Sequence, residues 1–233
     1  MMSYVVFHHN SYWTLLEFVI RLYHNTSQDD PLMTRLCDFA CKYSFLDLCR
    51  VDPEMGDVFP MLWRFFPTLD PGVDMVMSRD LDSRFTAREA AAVREWLGSD
   101  KTLHAMRDHP WHGVPITGGG WGSRLDTEER RTRWADSWRR MRGDRRVHAS
   151  AATGKGADQD LLRAHVWGVW ARGDAMHHDA YTCHMFPGAT AWPTQRINTT
   201  DHNFFGAVGP VEFMQLCPEQ CRRKGHEKDW IYC

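Results

Sequence analysis

"VDMVMSRDLDSR", residues 73–84, joins a short apolar run to two closely spaced acids. The run at 73–77 is mostly apolar, includes β-branched residues and is followed by polar ones, which predicts a buried strand. Asp80 and Asp82 follow it and are separated by one leucine. Because residues i and i+2 of an extended chain point the same way, the two carboxylates are predicted to converge on one point. Their mutual repulsion then requires a positive partner, which is an arginine, a metal ion or a substrate.

Predicted strands and helices alternate on both sides of this stretch. Apolar runs at 18–25, 101–106 and 114–117 predict further strands, and residues 174–186 are predicted to be extended and to return to the sheet. Helices are predicted within 36–51 (followed there by a short strand), at 58–66 (ended by Pro67), and at 85–99, 125–143 and 158–172. This alternation predicts an α/β fold, namely a single three-layer domain with a mostly parallel central sheet.

The position of Asp80 and Asp82 favours a functional role. Ligands of parallel α/β sheets bind at the carboxyl ends of strands, and both acids lie just past such an end. Hard divalent cations such as Mg²⁺ and Mn²⁺ take oxygen ligands and keep coordination positions open for substrate phosphates. The alternative is that both acids are surface residues paired with Arg79 and Arg84.

The overall composition argues against several classes of partner. Hydrophobic residues make up 43% and charged residues 25% of the 233 residues, as in an ordinary globular protein. A net charge of −2 gives no reason to expect nucleic acid or an anionic membrane as partner. No apolar stretch reaches the roughly 18 residues of a membrane-spanning helix, so no transmembrane segment is expected in this chain.

The cysteines and two sequons bear on the cellular compartment. The spacing of the seven cysteines is not that of a paired-CxxC zinc site, and Cys217 and Cys221 form either a short disulfide loop or two reduced thiols. Asn25 and Asn198 each begin a glycosylation sequon. A secretory or Golgi lumen is therefore as consistent with the sequence as the cytoplasm.

Two classes of enzyme place an Asp-x-Asp pair after a strand. Phosphohydrolases of the haloacid dehalogenase type use the first acid as nucleophile, but they also need a lysine at a later strand end, and no lysine after Asp82 has that setting. Nucleotide-sugar glycosyltransferases of the A-type fold use the pair to hold the cation that binds the donor's diphosphate. The remaining motifs favour the second class.

Four segments occur in an order that resembles one family. They are SRDLDSR (78–84), MRDHPWHGVPITGGGWGSR (106–124), GADQDLL (156–162) and HHDAYTCHMFPGATAWPTQR (177–196). This order resembles a group of small glycosyltransferase-like proteins with the A-type fold, which are similar to the glycogenin and galactosyltransferase-type retaining families. The resemblance implies a glycosyltransferase-like domain at 18–200, after an atypical N-terminal segment at 1–17. A cysteine-containing extension at 201–233 is expected to pack on the domain.

The resemblance implies a metal-dependent transfer of sugar from a nucleotide-sugar donor to a carbohydrate or glycoconjugate acceptor. The cofactor would be Mn²⁺ or Mg²⁺, bound by Asp80, Asp82 and His178. His177 and His184 are alternative ligands, and His109 and His112 are weaker ones.

The remaining roles are also carried over residue by residue. Asp158 and Asp160 resemble the Asp-Gln-x-x-Leu acids near the transferred sugar, although Asp158 could instead cap a helix. For Arg107 and Asp108, an internal ion pair is the alternative to donor binding. The expected donor-binding residues are Asp80, Arg84, Arg107, Asp108, Gly118, Gly119 and Gly120, and the expected acceptor-stacking residues are Trp111, Trp121 and Trp192.

The N-terminus departs from the family pattern. Only residues 1–17 precede the predicted strand at 18–25, so the first nucleotide-binding strand is expected to be missing, replaced or incomplete. Two further hypotheses therefore stay open: a degenerate or truncated relative that binds sugar without turnover, and a phosphohydrolase with Asp80 as nucleophile.

Overall fold

The computed structural model describes residues 2–7, 18–51, 58–145, 156–196, 204–208 and 214–233. The predicted boundary at residue 200 and the sequon at Asn198 lie outside these ranges. The strands are β1 (Met2–Phe7), β2 (Phe18–His24), β3 (Leu46–Arg50), β4 (Met75–Arg79), β5 (Leu103–Arg107), β6 (Gly120–Arg124) and β7 (Ala175–Asp179). The α-helices are α1 (Pro31–Lys42), α2 (Ala87–Leu97), α3 (Glu128–Gly143) and α4 (Ala157–Leu162).

Several tighter or wider helical turns complete the elements. A 3₁₀-helix runs over Pro60–Leu69, and a π-helical turn at Arg163–Trp167 follows α4 directly. Shorter 3₁₀ turns lie at Ala171–Gly173 and Glu219–Cys221. None of the helices in the described ranges is long and apolar enough to cross a membrane, in agreement with the sequence prediction.

The chain divides into two compact units. The first comprises Met1–Arg79 and Ser123–Leu161, and the second comprises Asp80–Gly122 and Leu162–Cys233. The strand order within the first unit is β3-β2-β1-β4. Within the second unit it is β6-β5-β7, with β6 contributing residues 120–122.

The strands run in both directions. In the first unit β1 is antiparallel to both β2 and β4, whereas β2 and β3 are parallel. In the second unit β5 and β7 are parallel. The α/β prediction is confirmed, but the expected mostly parallel arrangement is corrected to a mixed one. A physical reason is that residues 8–17 are too few for the crossover of a dozen or more residues that a parallel β1–β2 pair would need.

The core of the first unit forms around the 3₁₀-helix and α3. Phe65 and Trp134 are fully buried, with their ring centroids 6.5 Å apart. The Trp134 indole N–H donates to Oγ of Ser123 at 2.7 Å, so its polar edge is satisfied. The 3₁₀-helix continues through Pro67 to Leu69, which corrects the prediction that this proline would end it.

The core of the second unit is built on β5, whose five residues are all buried. Helix α2 begins after Thr86, whose side chain accepts from the Glu89 N–H at 3.1 Å and so caps the helix. Trp96 of α2 stacks on His104 of β5, with ring centroids 5.2 Å apart.

Two disulfides lie in the second unit. Cys183–Cys221 joins residues 214–233 to the rest of that unit, and Cys217–Cys233 closes a loop within them. The predicted alternatives for Cys217 and Cys221, a bond between them or two reduced thiols, are both wrong because each is paired elsewhere.

Three element boundaries also differ from the sequence predictions. Strand β4 extends to Arg79, so Asp80 follows it directly. The strand expected at 114–117 is instead β6, which begins at Gly120 inside the glycine-rich segment. The helix expected at 158–172 stops being α-helical at Leu162.

Candidate functional site

The Asp80 carboxylate lies directly against the backbone of Gly119. A Cβ built on Gly119 would be 2.3 Å from Oδ2 of Asp80, which is far closer than van der Waals contact. Asp80 is exposed, and its carbonyl accepts from the Ser83 N–H at 3.3 Å in the turn that carries Asp82, also exposed. Two segments that the sequence predicted to share one site therefore meet, because Gly119 has no side chain to keep them apart.

Gly120 is packed even more closely, and this allows a first prediction. A Cβ there would be 2.1 Å from Oγ1 of Thr117 and 2.7 Å from the buried Phe205 ring. We expect Gly120→Ala to lower the free energy of unfolding by about 1–3 kcal/mol, the usual range for overpacking. Gly113→Ala, where nothing lies within 4 Å, should change it by less than about 0.5 kcal/mol. Equal urea midpoints for the two variants would contradict the packing argument.

Asp108 is fully buried and serves as the acceptor for two arginines. Its carboxylate accepts from Arg88 at 3.0 and 2.8 Å, from Arg196 at 2.5 Å, and from the Phe205 N–H at 2.8 Å. Burial raises the pKa of Asp108, but the charges of Arg88 and Arg196 outweigh it, so the pKa is lowered overall. Asp108 was expected to bind the nucleotide-sugar donor. That prediction is corrected to the internal ion pair, because the carboxylate oxygens face the protein interior.

Arg107 is likewise buried and fully engaged. Its guanidinium donates to Asp179 at 2.7 Å, to the Pro115 carbonyl at 2.6 Å and to Nδ1 of His177 at 2.6 Å. Since arginine only donates, Nδ1 of His177 must be the acceptor, and the proton of the neutral imidazole is on Nε2. The expected role of Arg107 in binding the nucleotide-sugar donor is corrected in the same way, because its guanidinium faces the protein interior.

His178 is fully buried, and both of its ring nitrogens have partners. Nδ1 lies 2.9 Å from Nε2 of His104, and Nε2 lies 3.1 Å from Glu95, which also accepts two bonds from Arg223 at 2.9 Å. The ionised Glu95 requires the proton on Nε2 of His178, so Nδ1 accepts from His104. The expected metal-ligand role of His178 is corrected, because no nitrogen lone pair remains for a metal ion.

These buried groups predict a pH-dependent stability. Burial lowers the pKa of His178 and His104 and lowers that of His177 to about 4, whereas an unfolded histidine titrates near 6.5. The unfolded chain therefore takes up protons first, and stability should fall as the pH drops below about 6.5. The hydrogen bond from His178, and after it the one from Arg223, lowers the pKa of Glu95 from 4.5 to about 2. A second loss of stability is therefore expected below about pH 4.5.

The melting temperature measured from neutral pH down to about pH 3 checks this prediction. In His178→Gln the amide can still donate to Glu95 and accept from His104, but it does not titrate. The loss between pH 6.5 and 4 should therefore be smaller than in the wild type. Superimposable profiles for His178→Gln and the wild type would contradict the assignment.

The three tryptophans expected to stack on an acceptor differ in exposure. Trp121 and Trp192 are fully buried, and Trp192 donates to the Arg107 carbonyl at 3.0 Å, so these two predictions are corrected to core positions. Trp111 is 88% exposed. Its ring contacts that of His109, with centroids 5.1 Å apart, and the Trp111 backbone N–H donates to Nδ1 of His109 at 3.2 Å. An indole held in this way offers a flat apolar face to solvent.

The two acids expected near the transferred sugar lie in the first unit and differ in exposure. Asp158 is 2% exposed and forms an ion pair with Arg64 at 3.1 Å, so its catalytic role is corrected to a buried ion pair. Asp160 is exposed at the start of α4, and its role stays a prediction. Arg84 and His184 are exposed as well, whereas Gly118 is buried.

In the part of the chain that the structure describes, no three or more histidine, cysteine, aspartate or glutamate side chains lie together as a metal site. Mg²⁺, however, usually binds through one or two carboxylates plus substrate phosphates and retains several waters. Asp80 and Asp82 lie in a turn, and not in the extended chain that was expected to make their carboxylates converge. Each is nevertheless exposed and offers one carboxylate for that mode of binding, whereas His178 does not.

Of the residues predicted to form one site, the structure brings Asp80 and Gly119 into contact and leaves Asp82, Arg84 and Trp111 accessible. Glu95 and His104 were not predicted, and no signal in the sequence links them to His178. The chain matches no protein-family model, no curated protein and no solved structure in the three comparisons made.

Proposed function

We propose that this protein is a glycosyltransferase of the A-type fold, which binds a nucleotide-sugar donor at Asp80, Asp82 and Gly119. The observation that carries the proposal is the contact between the Asp80 carboxylate and the Gly119 backbone. Ligands of α/β sheets bind at the carboxyl ends of strands, where Asp80 lies, and a glycine allows a ligand to approach the backbone closely. The α/β class supports the same assignment.

The two carboxylates would hold Mg²⁺ or Mn²⁺ jointly with the donor's diphosphate. The bound cation offsets the negative charge that develops on the leaving diphosphate. Asp80 and Asp82 are both exposed, so a ligand in solvent has access to the two side chains. Arg84 is exposed on the same short segment and offers a positive charge to the phosphates.

The acceptor in this proposal is a carbohydrate or a glycoconjugate. The apolar face of an exposed indole suits the C–H face of a sugar ring, and Trp111 presents such a face. The same observation favours a second candidate function, in which the protein binds a carbohydrate without turnover. Trp111→Ala should weaken glycan binding under either function, whereas release of free nucleotide from the donor is expected only for the transferase.

Thermal unfolding with nucleotide-sugars tests the donor site. A ligand at 100 times its Kd stabilises the fold by about 2.7 kcal/mol, which a melting curve detects. We expect one nucleotide-sugar to raise the melting temperature of the wild type in the presence of Mn²⁺ and to have less effect without it. Asp82→Ala should lose this response, because half of the carboxylate pair is gone.

Two glycine variants provide a matched pair for the same measurement. Gly119→Ala forces the Asp80 carboxylate to move, so it should also lose the response to donor and Mn²⁺. Gly113→Ala adds the same methyl group in open space and should respond like the wild type. The proposal fails if no nucleotide-sugar shifts the wild type, or if Asp82→Ala responds as strongly as the wild type does.

A further inference from the structure

The cysteines of the second unit are oxidised. Four of the seven cysteines form the Cys183–Cys221 and Cys217–Cys233 disulfides, which close loops of 38 and 16 residues in sequence separation. Cys217, Cys221 and Cys233 are all buried. Disulfides form and persist in oxidising environments and are rare in reducing ones, so this chain is built to mature in an oxidising compartment.

An exposed glycosylation sequon lies in the other unit. Asn25-Thr26-Ser27 occupies the loop between β2 and α1, and both Asn25 and Ser27 are exposed. The loop is anchored on each side: the His24 carbonyl accepts from the Val51 N–H at 2.8 Å, and Asp30 caps α1 through the Leu32 N–H at 2.9 Å. A sequon in an exposed loop next to well-fixed elements is the usual setting of an N-glycan.

We propose that Asn25 carries an N-linked glycan, attached in the oxidising lumen where the two disulfides form. The donor class is a lipid-linked oligosaccharide diphosphate. Nδ2 of Asn25 forms a bond to the anomeric carbon while the bond from that carbon to the diphosphate oxygen breaks. The lipid diphosphate leaves with the electron pair, and one Nδ2 proton passes to a base of the transferring enzyme, so no redox partner is needed. The Ser27 hydroxyl supplies the third position of the sequon.

The first test uses the protein isolated from the cells that make it, with free thiols alkylated at lysis. Trypsin releases residues 22–35 as one peptide, since arginines stand at positions 21 and 35. Treatment with a peptide-N-glycosidase should convert Asn25 in that peptide to aspartate, and the four paired cysteines should escape alkylation. A peptide found unmodified, with those four cysteines alkylated, would overturn the proposal.

Variants made in a eukaryotic secretory host test the dependence on this sequon. An Asn198→Gln background removes the second sequon, so that one glycosidase-sensitive species remains. Asn25→Gln and Ser27→Ala should abolish the mass shift, whereas Thr26→Ala, which alters the unconstrained middle position, should keep it. A glycan that persists in Ser27→Ala would refute the assignment, and because the readout is covalent it holds even for a variant that folds poorly.

Discussion

Asp108→Ala is expected to lower the free energy of unfolding by about 3–5 kcal/mol, the cost of removing one partner of a buried charge pair. The substitution would leave Arg88 and Arg196 with buried positive charge and would remove the acceptor for the Phe205 N–H. Total stabilities are usually about 5–15 kcal/mol, so this loss is a large fraction of the whole. Urea unfolding followed by tryptophan fluorescence measures it.

Two further variants make the Asp108 prediction sharper. Asp108→Asn keeps the shape and one acceptor oxygen but removes the charge, and it serves if the alanine variant does not fold. Asp126→Ala removes a surface acid that precedes α3 and pairs with Arg130, and it should cost only about 0.2–1 kcal/mol. A loss at Asp108 as small as the loss at Asp126 would show that the buried network contributes little.

Loss of the Cys183–Cys221 disulfide is expected to cost about 4 kcal/mol, because the unfolded chain regains the entropy of a loop of this length. The shorter Cys217–Cys233 loop should cost about 3 kcal/mol on the same argument. The measurement is urea unfolding of the Cys183→Ser/Cys221→Ser and Cys217→Ser/Cys233→Ser double variants under non-reducing conditions. Each should shift the midpoint and leave the rest of the fold intact.

Cys37→Ser is the control for the disulfide prediction. Cys37 is an exposed free cysteine, so its replacement should change the free energy of unfolding by less than about 0.5 kcal/mol. The relative cost of the two double variants is also informative, since the entropic argument predicts the larger loss in free energy of unfolding for the longer loop. A larger cost for the Cys217–Cys233 pair would mean that local packing, and not loop length, sets the contribution.

Elements with strong local signals were predictable from the sequence. Strand β2 is a short apolar run bounded by polar residues, and α2 begins at a residue whose side chain caps it. Strand β1 was missed because the apolar run at its end, residues 4–7, is only four residues long, and its pairing with β2 and β4 is set by the fold. Strand β6 was misplaced because its glycines suggest a turn, whereas Gly120 lies in the strand at a position where the Phe205 ring leaves no room for a side chain.

For the candidate site, the sequence predicted correctly only the exposure of acids that come directly after a strand. Asp80 and Asp82 are exposed because they immediately follow β4. The roles of Asp108 and His178 depended on partners at positions 196 and 95, which are 88 and 83 residues away in sequence. A charged residue next to a site looks the same in sequence whether it faces a ligand or an internal partner. For these residues only the folded structure distinguishes a ligand contact from an ion pair.

The disulfide between Cys183 and Cys221 also determines what a protease can release from this protein. A single cut in the backbone between these cysteines would leave the two fragments covalently joined, and Cys217–Cys233 retains the last residues in the same way. Such a nicked chain would still migrate near 27.2 kDa on a non-reducing gel and would separate into two bands only after reduction. An intact band without reductant is therefore no proof of an uncut chain, and every preparation needs both lanes.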